Sequence, residues 1–151
     1  MRVFIENEAD SRIKNTYDEE TLAFLKSESV SAAYPFPYGF VLNTTGGDGD
    51  NVDCFVITDR SLAAGSIFEC QAIDMIEQVE DGEIDHKIIA VPAEEVATIQ
   101  VSAVAEKEIR SFILTVFSHI PGKEITLGKL LGPEAAEKYV ADCTDGSSGA
   151  G

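Results

Sequence analysis

Between Gly46 and Ile57 the chain reads GGDGDNVDCFVI, with Asp48, Asp50 and Asp53 inside six residues and an apolar run directly behind them. Glycines at 46, 47 and 49 allow the backbone to turn at φ > 0. The apolar, partly β-branched run Cys54 to Ile57 predicts a buried strand. Three carboxylates therefore stand where a tight turn enters a core strand. Crowded, desolvated carboxylates repel one another and are tolerated when a cation or a proton compensates them. A hard divalent metal such as Mg²⁺ suits them, because it prefers oxygen ligands and keeps several waters. Asp-Gly-Asp-Asn is also ordinary turn chemistry. An EF-hand is excluded, since that loop wants glycine where Asp53 stands and a helix on each side.

A second cluster, EDGEIDHKIIAVP from Glu80 to Pro92, repeats the arrangement. Glu80, Asp81, Glu83 and Asp85 precede the strand-like run Ile88 to Val91, and Lys87 stands at its start. If the two strands are neighbours, one pocket holds metal and anion together, which suits a phosphorylated substrate.

With YPFPYGF at 34–40, DGDNVDC at 48–54 and EDGEIDHKIIAVP at 80–92, the chain resembles family I soluble inorganic pyrophosphatase. The three segments stand in the family's order and at similar spacing. The resemblance covers residues 3 to 92 well and the remainder only as a helical tail. It implies an α+β, mainly β fold: a small closed barrel like that of oligonucleotide-binding domains, followed by two C-terminal helices. It also implies hydrolysis of pyrophosphate to two orthophosphates with Mg²⁺, or Mn²⁺ in its place.

Residue by residue, the resemblance assigns Asp48, Asp53 and Asp85 to a principal metal. Asp53 would bridge to a second metal, Glu80 with Asp85 would reach one carried by the substrate, and Glu6 would contribute from a strand end. Asp50 would be the general base on a water between two metals. Lys14, Lys26 and Lys87 would neutralise phosphate charge, and Tyr38 would donate its hydroxyl to substrate. Five positions depart from the pattern. Thr16 replaces an acid, Lys26 an arginine and Glu80 an aspartate, while Ile120 and Pro121 stand where a tyrosine and lysine bind product phosphate. Those departures motivate two alternatives, a metal- and phosphate-binding pseudoenzyme or assembly subunit, and a phosphohydrolase of an organic diphosphate.

At 151 residues the chain is long enough to bury a real core. Hydrophobics at 44% and charged residues at 25% are globular values. A formal charge of -16 argues against nucleic acid or an anionic membrane as partner. It would also repel an anionic substrate, so metals and local lysines have to reverse the sign inside the pocket. No apolar run approaches a membrane span of about 20 residues, and MRVFIENEAD lacks a signal peptide's hydrophobic segment. A cytoplasmic protein is expected. The resemblance implies a homo-oligomer without fixing its number. Three cysteines with no Cys-x-x-Cys pair indicate neither a disulfide framework nor a thiolate zinc site.

Residues 2–6 alternate as a strand, and 7–20 read as a solvated, turn-like loop. Further strands are expected over 67–76 and 96–104. From Glu106 the period changes. Ile109, Phe112, Ile113, Val116, Phe117 and Ile120 form a helical stripe that Pro121 and Gly122 end. A second helix starts at Pro133 with Ala136, Tyr139, Val140 and Cys143 on one face. Residues 1–144 form one domain and 145–151, DGSSGAG, a disordered tail. His86 should face away from Asp85 and Lys87, toward solvent or an oligomer contact. No partner histidine or cysteine stands at zinc spacing from His86 or His119.

Overall fold

The computed structural model describes residues 1–95, 101–116 and 121–146. Five strands close a ring. Strand β1 (Arg2–Asn7) comes first, and the sheet runs through β4 (Tyr38–Val41), β5 (Asp53–Val56), β8 (Lys87–Pro92) and β6 (Ile67–Glu80), which returns to β1. This ring is the small barrel expected from sequence. Strand β6 closes it because its 14 residues serve several partners in succession. Ile67 to Glu69 pair with β1 and Cys70 to Ile76 with β8. Its end then carries β7 (Glu83–Ile84) and β9 (Ile125–Leu130). Register shifts at Ala72/Asp74 and Ile76/Gln78 bend the strand where it changes partner.

Strands β5 and β8 pair in parallel, with Asp53 opposite Lys87 and Cys54 opposite Ile88. Both are the first residues of their strands, so both acidic loops open at the same end of the ring. The close fit of the ring elsewhere rests on Gly39, where a Cβ would overlap the Phe4 carbonyl oxygen.

The ring's strands are buried on both sides. Val3, Ile5, Cys54, Val56, Ile88 and Ala90 belong to one apolar cluster, onto which α2 (Pro133–Cys143) packs Ala136, Tyr139, Val140 and Cys143, its expected face. Phe55, Ile76 and Ile89 point the opposite way and meet Ile109, Phe112, Ile113 and Val116 of α1 (Ala103–Val116). None of the helices among the described residues is long and apolar enough to cross a membrane.

Four expectations change. Residues 7–20 are not simply a loop: β2 (Ile13–Tyr17) pairs with β3 (Phe24–Ser29) as a hairpin. The strand expected over 96–104 does not extend to its end, because Ala103 and Val104 open α1, capped by Ser102, whose Oγ accepts the Ala105 N–H at 3.0 Å; residues 96–100 lie outside those described. Of the glycines at 46, 47 and 49 only Gly49 takes a positive φ, 88°. At Gly47 the need is for space, since a Cβ there would lie 2.8 Å from that of Ile84. Finally, Thr144 bridges Thr44 and Asp145 accepts the Thr45 hydroxyl at 2.7 Å, so the chain is held through Asp145. Phe117, His119, Ile120 and residues 147–151 lie outside the described residues.

Candidate active site

The shared end of β5 and β8 opens into a cavity of about 500 Å³. From β1 comes Glu6, from β2 Lys14 and Thr16, and from the loop before β5 come Asp48 and Asp50. Asp53, Glu80, Asp85 and Lys87 line its floor, and Phe112, Ile113 and Val116 of α1 form an apolar wall. Among the described lining residues, eight carboxyl groups face three lysines.

Lys87 sits at the electrostatic centre. Its ammonium lies 2.5 Å from Asp53 Oδ2 and 3.0 Å from Asp85 Oδ2, and 5.8 Å from the Tyr38 ring centroid. Burial disfavours its charge, but the two aspartates outweigh burial and push its pKa upward. One lysine does not balance the acids. Burial, reinforced by Asp53, raises the Glu6 carboxyl to about 8. Asp85 is also pushed far above the carboxylate range, first by burial and then by Asp53, against the pull of Lys87. Burial works the same way on Glu80, but its 2.6 Å ion pair with Lys123 and a hydrogen bond from the Asp85 carboxyl bring its pKa down instead. Glu6 and Asp85 thus hold a proton more tightly than ordinary carboxyls, where the site carries surplus negative charge.

That surplus bears on a cation. Among the described residues no three such side chains already converge as a metal cage. The acidic side chains offer only oxygen, however, and the raised proton affinity of two of them marks a place where a divalent ion would relieve repulsion. Gln78 supplies a third observation. Buried at 2% exposure in the cavity lining, it points its Nε2 toward Asp85 Oδ2 at 3.5 Å and leaves its Oε1 with no partner. An over-acidic oxygen set with an unsatisfied buried acceptor fits a hard divalent cation.

The family model for inorganic pyrophosphatase matches residues 3–147. The chain belongs to the inorganic pyrophosphatase family. An inorganic pyrophosphatase of Geobacillus stearothermophilus is 31% identical over 95% of this chain and 91% of its own. That of Aquifex pyrophilus is 36% identical over 84% of this chain and 74% of its own. The fold follows the Helicobacter pylori inorganic pyrophosphatase structure with a TM-score of 0.86, at 27% identity over 95% and 91% of the two chains.

In this pyrophosphatase-family chain, nine of the ten residues singled out from sequence line the one cavity: Glu6, Lys14, Tyr38, Asp48, Asp50, Asp53, Glu80, Asp85 and Lys87. Lys26 does not. It stands opposite Thr16 in the hairpin with its side chain 63% exposed, and it pairs at 3.0 Å with Glu28, which does line the cavity. Tyr38 packs on Phe55 with centroids 4.8 Å apart, and burial drives its hydroxyl pKa far up, so it remains a donor. His86 is partly exposed and partly covered. Its Nδ1 accepts the Gln78 N–H at 3.0 Å and its ring rests on Tyr139, with centroids 5.2 Å apart, because α2 covers that side of the strand.

Sequence reasoning passed over Glu19, Gln78 and Lys123, all of which line the cavity. Only Lys123 carried a local signal. It follows the helix-stopping Pro121-Gly122 pair and begins the return of the chain to the sheet.

Proposed function

We propose that the chain hydrolyses inorganic pyrophosphate to two orthophosphates, with Asp50 as general base and a divalent cation, Mg²⁺ or Mn²⁺, held by Asp48, Asp53, Asp85, Glu80 and Glu6. The observation that carries this reading is the parallel register of Asp53 against Lys87, which gathers two acidic loops and a buried lysine into one cavity. Such a cation, when bound, polarises the phosphoanhydride oxygens and acidifies water.

The side chains divide the remaining work. Asp50 is exposed at the cavity mouth, its own N–H held by Asp48 Oδ1 at 3.0 Å. Partial desolvation at the cavity, with repulsion from Asp48 and Asp53, raises its proton affinity, which suits a base. It takes a proton from the attacking water as the new P–O bond forms and the bridging P–O bond breaks. The bridging oxygen leaves on the second orthophosphate. Lys14, Lys87 and Lys123 offset the charge that gathers on the phosphate oxygens. Tyr38 donates its hydroxyl to the same oxygens. Lys26 reaches an outer phosphate when its pair with Glu28 opens. The apolar wall from α1 keeps water from entering on that side.

The test is phosphate release from Mg²⁺-pyrophosphate by the parent chain and Asp50→Asn at matched concentration. A drop of at least about 100-fold with an unchanged melting temperature is expected. Release no faster from the parent than from the variant, with Mg²⁺ and with Mn²⁺, refutes the reading.

A further inference from the structure

Strand β2 presents Lys14 and Thr16 to the cavity, and Thr16 brings no charge. Three residues later, at the tip of the β2–β3 hairpin, Glu19 also lines the cavity. Its Oε1 accepts the N–H of Asn51 at 2.9 Å. Asn51 lies between Asp50 and Asp53, so this one bond ties the hairpin tip to the loop that carries the site's aspartates. The tip itself is fixed. Asp18 Oδ1 accepts the N–H groups of Glu20 and Thr21 at 2.9 and 2.8 Å, and Leu22 N–H returns to the Asp18 carbonyl at 2.8 Å.

A carboxylate held in this place is unfavourable without a ligand. Glu19 is half-buried and feels Asp50, Asp53 and Asp48 as like charges, in that order. Gln78, another lining residue of that cavity, is buried and its Oε1 has no hydrogen-bond partner. Repelling acids and an orphaned acceptor are both relieved by one positive ion.

We propose that Glu19 is a positioning carboxylate for the divalent cation: it anchors the Asp48–Asp53 loop through Asn51 and supplies, from the hairpin tip, the charge that Thr16 lacks. The proposal rests on the metal-dependent reading of the site. It assigns Glu19 two separable jobs. The bond to Asn51 needs only an acceptor, which a glutamine amide also offers. The electrostatic job needs the charge.

The experiment is titration of the metal-free protein with Mn²⁺ alone, followed by electron paramagnetic resonance of the free ion, for the parent, Glu19→Gln and Glu19→Gln with Thr16→Glu. Thermal melts alongside report folding. Because Glu19→Gln keeps the loop anchor and removes the repulsion from Asp50, Asp53 and Asp48, its metal-free melt should be no lower than the parent's. Its Mn²⁺ affinity should fall about tenfold, as for residues that orient a metal's ligands, and adding Thr16→Glu should recover most of that loss. A parent that binds Mn²⁺ while Glu19→Gln binds within twofold overturns the assignment of Glu19 and leaves the metal-dependent reading standing. So does a loss that Thr16→Glu leaves in place. A parent that binds no Mn²⁺ overturns both.

Discussion

Lys87 stands opposite Asp53 at the start of a parallel strand pair, its ammonium 2.5 Å from the Asp53 carboxylate and only 8% exposed. Removing one partner of a buried pair costs more than the pair is worth, because the other charge is left uncompensated. Lys87→Met should therefore destabilise the metal-free protein by about 3 kcal/mol. Urea denaturation in the presence of chelator measures this, and Mg²⁺ should restore part of the loss. An unchanged midpoint would show that Asp53 and Asp85 do not depend on the lysine.

Lys123 holds Glu80 at 2.6 Å, with each side chain about one-fifth exposed. Lys123→Met frees Glu80 and removes a cation from the phosphate side of the cavity. A charge-assisted hydrogen bond of about 1.5 kcal/mol corresponds to roughly a tenfold rise in KM for pyrophosphate. Steady-state kinetics at saturating Mg²⁺ decide it, and a fall in kcat with KM unchanged would argue for a role in the chemical step instead.

Glu6 gives the pH dependence. Its folded pKa of about 8 lies above the ordinary 4.5, so the folded state binds this proton more tightly than the unfolded chain. The associated stability is complete below pH 4.5 and is lost as pH rises through 8. Asp85 is shifted in the same sense. Metal-free protein should thus melt at a lower temperature at pH 8 than at pH 5.5, with Glu6 contributing up to about 3 kcal/mol over that interval. Glu6→Gln should flatten the slope. A melting temperature that rises over this interval in the parent would contradict the assignment.

Gly39→Ala tests the ring itself. The added methyl would overlap the Phe4 carbonyl oxygen, a backbone atom that cannot move without opening the β1–β4 pairing next to Tyr38. A loss on the order of 3 kcal/mol or more is expected, read from chemical denaturation. Wild-type stability would mean that β1 and β4 are further apart than described.

What the amino-acid sequence made legible follows from what was buried. The strands beginning at Asp53 and Lys87 stood out because β8 is buried throughout and β5 nearly so, leaving unbroken apolar runs behind the acids. The β2–β3 hairpin was hidden because β3 is exposed along its whole length, so FLKSES carries no periodic apolar face. The half-exposed edge strand β9 was missed for the same reason. The site divides similarly. Asp48, Asp50, Asp53, Asp85 and Lys87 sit on or beside core strands and were found. Glu19 reaches the cavity across 32 residues of chain to Asn51, and Lys123 pairs with Glu80 across the sheet. No local pattern encodes such contacts. Lys26 shows the converse: its charge was legible, but not its place on an exposed stretch of the hairpin beyond the cavity lining.

The parallel pairing of β5 with β8 also constrains when the cavity can exist. Asp53 and Lys87 are 34 positions apart, and the long β6 must be laid down between them before the two strands meet. Closing that crossover costs chain entropy before any contact across it is rewarded. A chain growing from the ribosome therefore holds Asp48, Asp50 and Asp53 without Lys87 until residues beyond β8 have emerged. Ion binding, if the proposed site takes a cation, should then report on closure of the crossover rather than on the formation of either strand alone.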